Sequence, residues 1–487
     1  MSYSVESIEP KLVWKYFDEI RKIPHGSRNE EQLGKAIVSW AKAQGCETAT
    51  DEVGNILIKI KASSGLEDAP AVVLQGHIDM VCEKNSDTEF DFEKDSLVLV
   101  RDGDWITADG TTLGADNGIG VAMGLALMEM PDAVHGPVEL LFTTDEETGL
   151  NGANNLKPGF VTGKMLINLD AEVDGIIYVG CSGGRDCNLS LPITRTDSTP
   201  GHARLDLVLK GLRGGHSGLD VIQNRGNAIR LLARAINAGM GIAKIDLISI
   251  DGGDKHNAIP REATASIQLP AGDVDKVKAV FKEQLKGFLS EFASAEPDLD
   301  LVVTSAELPA SVLTSDSTAK AIRMVIAVPH GLLAMSRDLE GLPDTSTNMA
   351  RVRTEDDALT MLTASRSANR SAINAVIERL TAIGELAGAT VKASEGYPGW
   401  QPNMKSDLLA FTRKTWAEKY GEEPELTAIH AGLECGIIGE KYPGMEMISF
   451  GPTIENPHSP DERVSIPTVA RIFEFTLTLL SAIARNK

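Results

Sequence analysis

Two histidines and a set of acids stand in this chain where divalent metal ions could use them. His77 and Asp79 close the apolar run Ala-Val-Val-Leu-Gln-Gly-His-Ile-Asp. Asp116 lies in Thr-Thr-Leu-Gly-Ala-Asp-Asn-Gly-Ile-Gly, Thr111 to Gly120. Glu146 and Glu147 follow a strand-like stretch, Asp170 ends Ile-Asn-Leu-Asp, and His458 stands between Pro457 and Pro460. Imidazole nitrogens and carboxylate oxygens are the ligands a pair of divalent ions takes.

Spacing sharpens this. On a strand, residues two apart face the same way, so His77 and Asp79 can point into one site. Asp79 is then placed to hold the other ring nitrogen of His77 and fix its tautomer. A lone His-x-Asp reads better as a strand-end histidine satisfied by a neighbouring acid. The glycines around Asp116 let backbone approach a ligand closely, and one carboxylate can bridge two metals. Taken alone, that segment is also an ordinary turn before a helix. Glu146 and Glu147 point apart unless the chain turns, so one can ligate while the other serves as a base. His458 sits in a rigid loop suited to presenting one side chain.

Elements must carry these residues to one place. Apolar spacing predicts helices at 12–22 and 33–43, the second with a capping signal in Ser27-Arg-Asn-Glu-Glu-Gln. Strands are expected at 56–60, 71–75, 138–143 and 165–170, and a buried helix at 118–130. This alternation implies a mostly parallel sheet covered by helices, with ligands at the carboxyl ends of strands. After Gly180-Cys-Ser-Gly-Gly the texture changes. Half-exposed strands at 203–210, 263–269 and 359–365 alternate with helices at 227–238, 274–292, 317–328 and 371–387. Two such sets suggest a two-lobed α+β insertion. Tyr397-Pro-Gly-Trp-Gln-Pro402 reads as a connector, followed by a strand at 445–450 and a helix at 466–485. The expected organisation is a catalytic domain from 1–185 and 397–487, with 186–396 inserted.

Composition narrows the function. With 42% hydrophobic and 24% charged residues, the 487-residue chain has the make-up of a globular protein. A net charge of −22 argues against nucleic acid, which needs a basic face. Five scattered cysteines without a CxxC argue against a zinc ribbon or a disulfide framework. No secretory signal and no apolar run long enough for a bilayer are visible, so a reducing cytoplasm is expected.

Together the five segments resemble the dinuclear zinc metallopeptidase family that includes aminoacylase, carnosinase, tripeptidase T and succinyl-diaminopimelate desuccinylase. The resemblance covers essentially the whole chain, in order. Gly-Gly-His-Ser-Gly at 214–218, Lys-His-Asn-Ala-Ile-Pro at 255–260, Ser-Arg-Ser at 365–367 and His-Ala-Gly-Leu-Glu-Cys-Gly at 430–436 are most similar to its aminoacyl-histidine dipeptidase branch. The resemblance implies two divalent ions, zinc with cobalt or manganese as alternatives. His77 and Asp170 would hold one, Glu147 and His458 the other, with Asp116 bridging through a cis peptide to Asn117. Glu146 would be the general base and Asp79 the orienter of His77. In the insertion, acting as a lid, His216 would polarise the scissile carbonyl. Asn257 and Gly432 would line the substrate site, and Arg366 would take the substrate carboxylate. Without the resemblance, Asn257 is a turn-former and Arg366 a solvated strand residue. Many relatives carry Asp where this chain has Asn117, a position that is not a ligand in the family.

The implied activity is hydrolysis of unblocked dipeptides, Xaa-His (carnosine-like) among them, with a small peptide as partner and a homodimer through the lid allowed. An N-acyl amino acid amidohydrolase is the alternative, and an inactive metal-binding scaffold the remaining one.

Overall fold

The computed structural model describes residues 3–486, which divide into two compact units. The first comprises residues 3–181, 400–428 and 433–486. The second comprises 182–399 together with the short segment 429–432.

The first unit is built on an eight-stranded sheet. Its centre is parallel: Val138–Thr143, Val72–His77, Met165–Asn168 and Glu446–Ser449 run side by side. Antiparallel strands Glu47–Thr50 and Ile56–Ile60 flank it on one side, and Ile176–Cys181 on the other. The strands Val72–His77 and Val138–Thr143 are buried at every position, as apolar runs covered on both faces should be. Register sets His77 opposite Thr143 and Gln75 opposite Asn168. The chain therefore leaves three adjacent strands at the same level, just before Asp79, Glu146 and Asp170. The helix Ala115–Leu127, small and almost wholly buried, packs on Val72–His77 and on the helix Lys11–Ile20.

His458 arrives by a separate device. The strands Ile454–Glu455 and Arg463–Ser465 form a hairpin that pairs with Trp105–Ala108 in a small four-stranded sheet. Its loop carries Asn456 and His458, both with positive φ (53° and 60°). The pairing ties the loop to the segment leading into Asp116.

Two details depart from expectation. The capping signal is not used: the second helix, Glu31–Ala43, has no side-chain cap. Ser27 instead donates to Asp79, and Glu30 accepts from the backbone of Arg28 and Asp145, because the helix starts too late for Ser27 to reach it. A helix long and apolar enough to cross a membrane does exist, at Ile466–Arg485. Its apolar face is spent internally. Val469, Ile472, Phe475, Leu479 and Ile483 are buried, and Phe475 meets the ring of Trp416 at 4.8 Å.

In the second unit the two lobes share one sheet. Strands Asp300–Ala306, His202–Lys210, Ala263–Pro270 and Asp246–Gly253 make one half. Pro343–Thr354, Ala358–Ser367, Gly183–Pro192 and Thr390–Ala393 make the other. Gly252 and Gly253 join them by pairing with Val352 and Arg351. One hydrophobic core runs under both halves. The helix Val274–Phe292 lays Val277, Phe281 and Phe288 on it, a spacing of four and seven. Asn227 and Asn369 cap the helices Ala228–Met240 and Arg370–Ala387 by accepting from two backbone N–H groups each.

Candidate metal centre and substrate site

The first unit brings together all five residues expected to bind metal. Asp116 is their hub. Its Oδ1 lies 3.1 Å from His77 Nε2, and its Oδ2 lies 3.2 Å from His458 Nε2. His77 Nε2 is 3.3 Å from Asp170 Oδ1, and His458 Nε2 is 2.9 Å from Glu147 Oε1. Two triads thus share one carboxylate: His77–Asp116–Asp170 and Asp116–Glu147–His458. The peptide between Asp116 and Asn117 is cis, as the resemblance implies.

Asp79 organises the surroundings. Its backbone carbonyl is 3.0 Å and its Oδ1 3.2 Å from His77 Nδ1, which leaves Nε2 facing the centre. The same carboxylate accepts from the backbone N–H of Glu146 (3.0 Å) and of Glu147 (3.2 Å) and from Ser27 Oγ (2.8 Å). One buried side chain therefore sets both an imidazole and the turn carrying two acids. Asp145, with φ of 49°, bends the chain there. The acids Glu30, Asp79 and Asp145 also cluster, but Glu30 and Asp79 accept backbone N–H groups, and Asp145 accepts from Asn151. They are structural.

The electrostatics call for positive charge. Burial opposes protonation of His77, but Asp170, Asp116 and Asp79 outweigh it and hold the ring well above its usual value. Hydrogen bonds with Asp116 and Glu147 push His458 up to about 11. Burial lifts Asp170 to about 7 against the pull of His77, and lifts Glu172 beside it to about 8. Asp170 Oδ1 and Glu147 Oε1 are buried and accept no well-formed hydrogen bond despite the nearby imidazoles. Ligand atoms on a tetrahedral ion with bonds of about 2.0–2.1 Å lie about 3.3 Å apart, close to the separations here. The residues fit two divalent cations. Glu146 belongs to the same cluster. Burial drives its carboxyl well above the carboxylate range; His77 opposes this, and Asp170, Glu434 and Glu147 add to it.

Sequence reasoning missed two acids. Glu462 is buried and accepts from four consecutive amides: Leu113 (2.7 Å), Gly114 (3.0 Å), Ala115 (2.8 Å) and Asp116 (3.3 Å). Its only signal was its place four residues after His458 in the same loop. Glu434 accepts from Gln75 Nε2 and Thr143 Oγ1, each at 2.6 Å. Gln75 continues to Asn168 (2.6 Å) and Asn168 to Ser449 (2.5 Å), a buried polar row one step below the ligands.

The second unit gathers His216, Arg366 and Gly432. The backbone N–H groups of Gly218 (3.3 Å) and Leu219 (3.0 Å) donate to His216 Nδ1, so a neutral ring carries its proton on Nε2. Burial and Arg366 both lower its pKa, which favours that neutral form. Arg366 is only 8% exposed, contrary to a solvated strand residue; its Nη1 donates to Tyr397 Oη at 3.0 Å. His430 is buried between Ser182 Oγ and Ser346 Oγ, 2.7 Å each, and burial holds it down to about 4. Asn257 is exposed, and its carbonyl accepts from Ser217 N at 2.7 Å. Asn348 braces that loop through the carbonyls of His256 and Ala258.

The profile of Peptidase family M20/M25/M40 matches residues 73–482. The chain is 40% identical to the cytosol non-specific dipeptidase of Escherichia coli K12, over 98% of this chain and 99% of that one. The crystal structure of aminoacylhistidine dipeptidase from Vibrio alginolyticus superposes with a TM-score of 0.95 at 41% identity, covering 99% of this chain and 98% of that one. Aminopeptidase PepT from Bacillus cereus shares the fold at 16% identity and a TM-score of 0.61, over 98% and 100% of the two chains. A match of this extent makes the chain a member of the peptidase family M20/M25/M40, a hydrolase acting on peptide bonds.

Proposed function

We propose that the chain hydrolyses unblocked dipeptides, Xaa-His among them, with two divalent ions held by His77, Asp116, Asp170, Glu147 and His458. The carrying observation is that the two oxygens of Asp116 each face a different imidazole. The names of the two relatives, a non-specific dipeptidase and an aminoacylhistidine dipeptidase, support the substrate class. Bound divalent ions would lower the pKa of a water and polarise the scissile carbonyl, chemistry the side chains alone do not supply.

The chain's own residues do the rest. Glu146, half-buried and with its carboxyl held well above the carboxylate range, takes a proton from the attacking water and returns it to the leaving amine. Asp79 keeps His77 and the Glu146–Glu147 turn in place. His216 offers its Nε2–H to the oxygen on which negative charge develops. The Arg366 guanidinium takes the substrate carboxylate, a match of planar forks. A cytosolic setting belongs to the same proposal, since all five cysteines are free.

The test is a hydrolysis panel of free dipeptides and N-acetyl amino acids, run after chelation and again with zinc, cobalt or manganese restored. Metal-dependent cleavage confined to free dipeptides is expected. Faster turnover of N-acetyl amino acids would refute the reading.

A further inference from the structure

The reading of Arg366 as the carboxylate reader leaves open what aims its guanidinium; resting on that reading, we propose that Tyr397 is the positioning residue. Arg366 stands opposite Gly184 in the pairing of Ala358–Ser367 with Gly183–Pro192. On its other side Gly184 pairs with Tyr397, exchanging two N–H···O bonds of 3.0 Å. Directly opposed residues send their side chains to the same face of a sheet. Tyr397, Gly184 and Arg366 therefore form one row about 9.5 Å wide, two strand spacings. Its middle member has no side chain. A Cβ on Gly184 would lie 2.6 Å from Cε1 and Cζ of Tyr397 and 2.7 Å from its Oη. The ring lies over that gap, and its hydroxyl meets Arg366 Nη1 at 3.0 Å.

The opposite ring edge is seated just as closely. A Cβ on Gly432 would come within 2.9 Å of Tyr397 Cε2. Gly432, which the resemblance places at the substrate, thus makes room for the ring that holds the arginine. Capture of Nη1 stops rotation of the guanidinium. It leaves the edge bearing Nε, which is buried without a hydrogen-bond partner, to meet a carboxylate two-pronged. The connector motif Tyr-Pro-Gly-Trp gains a function in this way.

Tyr397→Phe keeps the ring and removes the hydroxyl that accepts from Arg366 Nη1. Steady-state kinetics on a free Xaa-His dipeptide and on its amide, with metals saturating, should show KM for the free acid raised about tenfold. The kcat should stay within about twofold and the amide should be unaffected, as for a group that helps hold the carboxylate equally in the ground and transition states. In an Arg366→Ala background the same substitution should add nothing, because the two residues act as one unit. An unchanged KM in Tyr397→Phe, with Arg366→Ala selectively impairing the free acid, overturns the Tyr397 assignment alone. Equal losses for acid and amide in Tyr397→Phe overturn it as well and make the residue structural. Equal losses for acid and amide in Arg366→Ala overturn the carboxylate reading itself, and this assignment with it.

Discussion

Glu462 offers a sharp test of how the centre is held, because it lies outside the ligand set. Its carboxylate, 2% exposed, takes four amides in a row, the last of them that of Asp116. In Glu462→Gln one oxygen becomes an NH2 group. Leu113 and Gly114 share one oxygen and Ala115 and Asp116 the other, so two amides lose their acceptor and face a donor. A buried donor left without a partner costs about 1–3 kcal/mol. Two give about 2–6 kcal/mol, and relaxation of the loop puts the expected figure near 3 kcal/mol, about two orders of magnitude in an equilibrium constant. The loss should divide between fold stability and metal affinity, since Asp116 is common to both. Calorimetric titration of zinc into chelator-stripped protein, with a thermal melt of the stripped form, measures the two parts. Glu455→Gln is the control: its partner Arg463 and it are both about two-fifths exposed, so that ion pair should contribute little. A Glu462→Gln protein with wild-type metal affinity and an unchanged Tm would refute the reasoning.

Further expectations concern the centre itself. Glu146→Gln should lower kcat by about 10²-fold or more with metal content intact, whereas Glu147→Gln should weaken metal binding; swapped outcomes in kinetics and metal analysis would reverse the pair. Asp116→Ala should lose most bound metal and most activity together, and a variant with full metal content by elemental analysis and a near-normal rate would sink its bridging role. Burial raises Asp170 and Glu172 to about 7 and 8. Their raised folded-state values favour the fold while they stay protonated, and that contribution fades as pH rises through about 7–8. The Tm of chelator-stripped protein should therefore fall between about pH 5 and 8.5, and bound metal should flatten the trend; a stripped-protein Tm that rises over that window contradicts it.

Much of this was legible because apolar burial leaves a trace. The runs ending in His77, Thr143 and Asn168 read as buried strands, and their ends located three groups of candidate ligands. Where burial is polar, the trace vanishes. The strand Pro343–Thr354 buries Thr345, Ser346, Thr347 and Asn348, with hydroxyls paired to those of Ser367 and Ser365 at 3.1 and 3.0 Å. Such residues satisfy one another and carry no hydropathy signal, so this strand went unseen. Glu462 was one acid among many because its partners lie 346–349 residues earlier. Ser27 looked like a helix cap because local pattern cannot reveal that Asp79, 52 residues on, is its partner. Tyr397 passed for a connector because Gly184 and Arg366 become its neighbours only through sheet register.

The hairpin that delivers His458 and Glu462 has a consequence for synthesis. Asp116 leaves the ribosome long before its clamp and its second imidazole partner are made: 346 residues separate it from Glu462 and 342 from His458. A nascent chain up to residue 450 would hold His77, Asp116, Glu147 and Asp170 with the loop at 113–116 unclamped. Contacts this distant form late, since they close some of the longest loops in the chain. On the proposed ligand set, the centre is thus completed only once His458 and Glu462 have been made, and a product truncated before them carries no finished centre.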